Sequence, residues 1–148
     1  MFNWLGQELG GLACLDLFSG TGVMGFEALS RGAGNTVMVE KAIPVYKILL
    51  ENKKLLAADT AQILNMDAMQ FLASNKQTFD IIFLDPPYNQ CWLYKLLPQM
   101  HKHLTASGLI YAEAEFALTD SADWRVVKQG KAGNVFFHLL SAADKIGA

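Results

Sequence analysis

The feature that most constrains the fold is an alternation between short apolar segments of β-type composition and longer segments with helical periodicity. The predicted parallel strands are residues 13–18, 36–40, 61–65, 79–84 and 109–113. Parallel neighbours need a crossover connection, usually a helix, so the alternation predicts a mainly parallel sheet with helices on both faces. The predicted fold class is therefore an α/β doubly wound sheet.

The C-terminal part of the chain departs from this alternation. Residues 124–128 and 134–140 are both strand-like, and only a Gly-containing loop separates them. Such spacing predicts an antiparallel hairpin at one edge of the sheet. The predicted helices are residues 23–31, 44 to about 57, 68–74 and 92–104.

Length and charge limit the organisation of the chain. It has 148 residues, of which 52% are hydrophobic, so we predict a single domain over residues 1–148 with a substantial core. The 12 basic residues are outnumbered by 14 acidic ones. The formal charge of −2 therefore gives the whole chain no basic footprint for nucleic acid.

The cysteines and histidines show no spacing typical of metal ligands. Cys14 and Cys91 lie far apart, and the three histidines form no cluster with them, so we predict no metal site. No apolar stretch reaches the roughly 20 residues that span a bilayer, and the N-terminus has no signal-peptide pattern. We predict a cytoplasmic protein that has no membrane partner.

Acidic residues stand at or just after the ends of four predicted strands. They are Asp16, Glu40, Asp67 and Asp85. In an open α/β sheet, ligands bind beyond the carboxyl ends of the strands, where the strand order reverses. Any one of these acids alone could be a helix cap or a turn residue. Four of them at successive strand ends predict one acidic crevice.

A glycine-rich loop follows the first predicted strand. Gly20, Gly22 and Gly25 match the Gly-x-Gly-x-x-Gly pattern of dinucleotide-binding folds, whereas the Lys-Ser/Thr of a Walker phosphate loop is absent. Asp16 precedes the glycines, where it would repel a pyrophosphate but attract the α-amino group of S-adenosylmethionine. This order of residues favours a methyl donor over a nicotinamide dinucleotide.

The other acids fit the remaining parts of such a donor. Glu40 ends the second strand, where an acid can bind ribose hydroxyls. Asp67 and the backbone N–H of Ala68 are expected near the adenine edge. The cofactor-binding prediction therefore extends from the glycine loop across three strand ends.

The most specific motif is the sequence Asp85-Pro86-Pro87-Tyr88, which follows the buried fourth strand. The two prolines hold the backbone in a stiff turn, and Asp85 and the Pro86 carbonyl can together accept both hydrogens of an exocyclic amine. Tyr88 can provide a stacking face worth roughly 1–3 kcal/mol per base. We predict that these four residues bind and activate a flat, amine-bearing acceptor.

The two motifs resemble class I S-adenosylmethionine-dependent methyltransferases that modify exocyclic amines, whose signature is Asp/Asn-Pro-Pro-Tyr/Phe. Residues 16–22 (DLFSGTG), 25–33 (GFEALSRGA), 65–68 (NMDA) and 85–88 (DPPY) resemble the RsmD-type family in particular. That family methylates the exocyclic amine of a guanine in 16S ribosomal RNA. The resemblance implies a Rossmann-like fold, S-adenosylmethionine as cofactor and further donor contacts from Phe18, Ser19, Thr21, Lys41 and Asp85.

The resemblance also implies the partner and a difference at the N-terminus. The partner would be 16S ribosomal RNA, within the small ribosomal subunit or an assembly intermediate. Family members usually begin with a basic segment that helps to bind RNA and covers the donor, whereas this sequence starts at Met1-Phe2-Asn3-Trp4-Leu5. We expect a methyltransferase domain without that segment.

Three alternatives remain open from the residues alone. The first is another amine methyltransferase of the same fold, acting on DNA adenine or cytosine or on protein glutamine. The second is a nicotinamide-dependent oxidoreductase that uses Gly20, Gly22 and Gly25. The third is a module that binds the donor without catalysis.

Overall fold

The computed structural model describes residues 9–87 and 92–143. Within these residues, seven strands form one sheet, and α-helices connect the parallel strands. The strands are β1 (Ala13–Asp16), β2 (Asn35–Glu40), β3 (Ala61–Asn65), β4 (Phe79–Leu84), β5 (Leu104–Ala114), β6 (Trp124–Ala132) and β7 (Val135–Ala142). The α-helices are α1 (Val23–Ser30), α2 (Ile43–Leu55), α3 (Ala68–Ser74) and α4 (Trp92–Leu96).

The strand order in the sheet is β3-β2-β1-β4-β5-β7-β6. Strands β1 to β5 pair in parallel, and β7 lies antiparallel between β5 and β6. The predicted class, a mainly parallel doubly wound sheet with an antiparallel C-terminal hairpin, is confirmed. The direction of winding reverses between β1 and β4, so a crevice is expected beyond the carboxyl ends of these two strands.

Alternating side chains along the strands form apolar layers on the two faces of the sheet. On one face, Leu15 and Ile82 pack in a cluster with Phe71 and Leu72 of α3. On the other face, Cys14 packs in a cluster with Ala28 of α1. Both faces are covered because each buried strand carries apolar residues at odd and even positions.

The helix predicted for residues 92–104 is wrong in its length. Helix α4 ends at Leu96, and two short 3₁₀ turns, Leu97–Gln99 and His101–His103, follow it. Pro98 accounts for the difference, because it lacks a backbone N–H and its ring disfavours a continuous α-helix. At the second residue of a 3₁₀ turn the same proline is tolerated.

Strands β5 and β6 are longer than the sequence predicts. The β4–β5 register pairs Phe79 with Leu104 and then Ile81 with Leu109, so β5 contains a bulge and begins five residues early. In the hairpin, β6 continues to Ala132, and the turn at Gly133 has φ 58°. Much of the predicted hairpin loop is therefore strand.

Across residues 9–87 and 92–143, no helix combines the length and the apolar character that crossing a membrane requires.

Candidate active site

A crevice of about 990 Å³ opens at the carboxyl ends of the parallel strands. It contains most of the residues predicted for donor and acceptor binding: Asp16, Phe18, Ser19, Gly20, Thr21, Glu40, Lys41, Asp67, Ala68, Asp85, Pro86 and Pro87. Gly22 does not line it, and Tyr88 lies outside the described residues. The structure therefore brings the two predicted motifs to one cavity.

The loop between β1 and α1 is held by the neighbouring strand β2. The backbone N–H of Ser19 donates to the Val39 carbonyl at 3.0 Å, and the N–H of Gly20 donates to Glu40 Oε1 at 2.9 Å. The Ser19 hydroxyl donates to the Asp16 carbonyl at 2.8 Å. These bonds fix the loop as part of the crevice wall.

Gly22 lies in this loop on the side that packs against α1 and α2. It precedes α1 with φ 92°, a left-handed conformation that strongly favours glycine. A Cβ atom at this position would collide with the Phe26 ring and lie 2.8 Å from Leu49 Cδ2. The second glycine of the motif is therefore required by packing against α1 and α2, and its contact with the cofactor stays a prediction.

Gly22→Ala is expected to lower the free energy of unfolding by about 2–4 kcal/mol, because it adds overpacking to backbone strain. Gly133→Ala is the matched control, since Gly133 also has positive φ but has open space around its Cα. In the control, the free energy of unfolding should fall by only about 1–2 kcal/mol. Urea denaturation of both variants measures the difference. Equal losses would contradict the assignment of a packing role to Gly22.

The Asp16 carboxyl group is buried at the floor of the crevice, with 3% of the residue exposed. The N–H of Gly25 in α1 donates to Asp16 Oδ2 at 3.2 Å. Burial, and then the charges of Asp85 and Glu40, raise the pKa of Asp16 to about 7, while hydrogen bonds from Gly25 and Ser19 oppose the increase. A cation bound here would favour the ionised carboxylate.

Glu40 connects the glycine loop to the end of β2. Its Oε1 accepts the Gly20 N–H, and its Oε2 accepts the Ala42 N–H at 2.8 Å. The Asn65 side chain at the end of β3 donates to the carbonyl oxygens of Glu40 and Lys41 at 2.9 and 3.0 Å. Each carboxylate oxygen has a second lone pair, so Glu40 can still accept hydrogen bonds from two vicinal hydroxyls.

Asp67 both caps a helix and lines the crevice. Its Oδ1 accepts the Met69 N–H at 2.7 Å, and the Gln70 side chain completes a capping box at the start of α3. Its Oδ2 lies 3.9 Å from Lys41 Nζ in an exposed ion pair. The capping interpretation of Asp67 is therefore correct, and it is compatible with a role in binding.

Asp85, Pro86 and Pro87 leave the carboxyl end of β4. Pro86 is buried, whereas Asp85 and Pro87 are exposed to the open crevice. The Asp85 residue is exposed, but its carboxyl group is partly desolvated. This desolvation, followed by the charge of Glu113 and a hydrogen bond with the Glu113 side chain, raises the pKa of Asp85 to about 6. Asp85 therefore holds a proton more readily than an ordinary aspartate does.

Glu113 and Trp92 also line the crevice, and the sequence interpretation did not assign them to it. Trp92 contacts Phe18 edge to face, with 5.5 Å between the ring centroids. Glu113 could have been found, because it ends a predicted strand as the other acids do. Nothing in the sequence distinguished Trp92 from a tryptophan of the core.

The arrangement offers different chemistry in different parts of one cavity. Asp16 can bind a cation, and Glu40 can bind hydroxyl groups. Asp85 and the rigid prolines can accept hydrogen bonds from an amine. A cationic nucleoside and an amine-bearing ring are therefore the ligand pair that the side chains fit best.

Comparisons with known proteins agree with this description. A family model described as "Conserved hypothetical protein 95" matches residues 1–141. The ribosomal RNA small subunit methyltransferase D of Escherichia coli K12 is 34% identical over 94% of this chain and 73% of its own length. The protein of the same name from Haemophilus influenzae is 32% identical over 94% of this chain and 76% of its own length.

A solved structure of yhhF from Escherichia coli, a candidate methyltransferase, superposes with a TM-score of 0.88 at 34% identity. The match covers 97% of this chain and 82% of that one. The family model and these relatives extend over nearly all of the chain, including both motifs of the crevice. The chain therefore belongs to the RsmD-type family of methyltransferases.

Proposed function

We propose that this chain transfers a methyl group from S-adenosylmethionine to the exocyclic amine of a guanine in 16S ribosomal RNA. The observation that carries the proposal is the convergence of Asp16, Glu40 and Asp85 on one crevice with the glycine loop. The partner is the small ribosomal subunit or its assembly intermediate, and the predicted cytoplasmic location follows from that substrate.

The donor's charged groups match the acids at the crevice floor. Among the described residues, no Lys or Arg side chain forms an ion pair with Asp16, and burial, followed by the charges of Asp85 and Glu40, raises its pKa. The α-amino group and the sulfonium of S-adenosylmethionine would supply the missing positive charge. Glu40 would accept the ribose hydroxyls, and Asp67 with the Ala68 N–H would lie at the adenine.

The remaining predicted donor contacts come from the walls of the same crevice. Phe18, Ser19, Thr21 and Lys41 line it beside the three acids. Phe18 is fixed by its contact with Trp92, so it presents a stable apolar surface to the nucleoside. Gly20 lets the backbone approach the ligand closely.

The acceptor amine is oriented by the residues after β4. When bound, S-adenosylmethionine supplies an electrophilic methyl group and leaves as S-adenosylhomocysteine. Asp85 and the Pro86 carbonyl accept the two amine hydrogens, aim the nitrogen lone pair and favour the positive charge that develops on nitrogen. Since its pKa is about 6, Asp85 can take the released proton and pass it to solvent. Tyr88 is proposed to stack on the base.

The proposal is tested by binding and by transfer. Calorimetry should detect binding of S-adenosylhomocysteine and none of NAD. Labelled S-adenosylmethionine should then methylate small ribosomal subunits that lack their guanine methylation, and leave duplex DNA unlabelled. Binding of NAD alone would restore the oxidoreductase alternative, and labelled DNA would favour a DNA methyltransferase. Binding without transfer to either substrate would leave a donor-binding module.

Donor affinity is expected to depend on pH through Asp16. The α-amino group of S-adenosylhomocysteine stays protonated near neutrality, so its binding requires the ionised form of a carboxyl whose pKa is about 7. The association constant should rise by up to about tenfold per pH unit below pH 7 and level off above it. Calorimetry from pH 5.5 to 8.5 measures this. Asp16→Asn is the control and should show a much flatter profile; matching profiles would contradict the role of Asp16.

A further inference from the structure

The proposed methyl transfer uses Asp85, and Glu113 lies directly beside this residue. The β4–β5 register places Leu84 opposite Ala112, so Asp85 and Glu113 are the next residues on adjacent parallel strands. Adjacent strands are about 4.8 Å apart. Two carboxyl groups therefore face the acceptor end of the crevice side by side.

The Glu113 side chain is held in place by Tyr111. The Tyr111 hydroxyl donates to Glu113 Oε1 at 2.8 Å. The Tyr111 ring is buried and packs between Phe83 and Phe137, with ring centroids 6.2 and 6.4 Å away. A rigid tyrosine thus orients one carboxylate oxygen, and the Glu113 side chain also forms a hydrogen bond with the Asp85 carboxyl group. A ligand that donates two hydrogen bonds could take the place of this contact between the two carboxyl groups.

Nucleobases differ in what they present to such a pair of acceptors. The Watson–Crick edge of guanine places the N1–H donor next to the exocyclic 2-amine, so two adjacent positions donate hydrogen bonds. Adenine and cytosine each place an acceptor nitrogen next to their exocyclic amine. A carboxylate beside Asp85 would match guanine and would repel the ring nitrogen of the other two bases.

We propose that Glu113 accepts the N1–H of the acceptor guanine while Asp85 accepts a hydrogen of its exocyclic amine, so that the carboxylate pair selects guanine. This inference rests on the proposed function and specifies how its substrate is recognised. The mutual repulsion of the two carboxyl groups, which contributes to the raised pKa of Asp85, would be relieved by the donors of the guanine edge.

The test combines a change in the protein with a change in the base. The methylated guanine is first located by mass spectrometry, and 16S RNA is then ligated with guanine or 2-aminopurine at that position and assembled into subunits. 2-Aminopurine keeps the 2-amine but lacks N1–H. The wild-type protein should methylate it about 10- to 100-fold more slowly than guanine, as expected for a lost hydrogen bond to a charged group.

Glu113→Gln should methylate guanine more slowly than the wild type does. Its rates with guanine and 2-aminopurine should differ by less than about threefold, because its amide can donate a hydrogen bond to N1 of 2-aminopurine. Its affinity for S-adenosylhomocysteine should stay unchanged. Glu51→Gln makes the same change on the exposed side of α2 and should behave as the wild type. If Glu113→Gln does not fold, Tyr111→Phe is tested in its place. This variant loses the hydrogen bond that orients Glu113, so its discrimination between guanine and 2-aminopurine should fall with little change in donor affinity.

The possible outcomes test the role of Glu113 separately from the proposed function. Reduced discrimination in Glu113→Gln, or in Tyr111→Phe, supports it. If the wild type methylates guanine and the variants keep its full discrimination, the role of Glu113 is overturned and the proposed function stands. If the wild type binds the donor but methylates no guanine, the proposed function fails and this inference fails with it.

Discussion

Replacing Asp85 by Ala should reduce kcat for methyl transfer by about 100- to 1,000-fold, the typical effect of removing one preorganised transition-state contact. The variant loses the group that is proposed to orient the amine and to stabilise positive charge on the attacking nitrogen. Its affinity for S-adenosylhomocysteine should change little, because the main polar contacts to the donor are proposed to come from Asp16 and Glu40. Single-turnover transfer and calorimetry measure the two effects separately.

Asp85→Asn is the matched variant, since it keeps an oxygen acceptor and removes the charge. We expect an intermediate loss of kcat, because hydrogen bonds to charged groups are roughly twice as strong as neutral ones. Equal losses of transfer and donor affinity in Asp85→Ala would instead place Asp85 in the donor site. Unchanged transfer would remove it from the reaction.

Asp16→Asn should weaken donor binding and at the same time stabilise the ligand-free protein above neutral pH. Loss of the charge should lower affinity for S-adenosylhomocysteine by about 10- to 100-fold. The stability effect follows from the pKa, which burial raises from 3.8 to about 7. A raised pKa in the folded state stabilises the fold below pH 3.8, and this stabilisation is lost as the pH rises to about 7.

The total loss of folding stability is about 4 kcal/mol for a carboxyl group whose pKa is 3.8 in the unfolded chain and about 7 in the folded protein. Between pH 5 and pH 8, the free energy of unfolding of the wild type should therefore fall by about 2–3 kcal/mol more than that of Asp16→Asn. Other groups titrate in both proteins, so the difference isolates residue 16. Urea denaturation at both pH values measures it. A difference that does not change with pH would show that Asp16 is already ionised in the folded protein.

The order of elements in the fold could be predicted from the sequence, because each strand is a short apolar segment bounded by turn residues. The limits of β5 could not, since its bulge depends on pairing with β4. Helix α4 is shorter than the predicted helix over residues 92–104, because Pro98 locally disfavours a continuous α-helix.

The candidate site followed from one rule, that acids at the ends of parallel strands converge. The rule was applied to Asp16, Glu40, Asp67 and Asp85, and all four line the crevice. The same reasoning holds for Glu113 near the end of β5, which also lines the crevice. Which acids lie adjacent depends on the strand order, and a sequence pattern alone does not specify that order.

The packing role of Gly22 also required the structure. The sequence pattern predicts a glycine near the ligand, and the positive φ and the contacts with Phe26 and Leu49 add a packing requirement for it. Phe26 is only four residues from Gly22, but Leu49 belongs to α2. The contact with Leu49 forms only when α1 and α2 are packed together.

The most direct test of the central claim is to identify the modified nucleoside. Small ribosomal subunits lacking their guanine methylation are incubated with the protein and S-adenosylmethionine, and their 16S RNA is digested and examined by mass spectrometry. The proposed function predicts N2-methylguanosine at one position, with none formed by Asp85→Ala. Methylation of adenine or cytosine, or equal N2-methylguanosine with the Asp85→Ala variant, would contradict it.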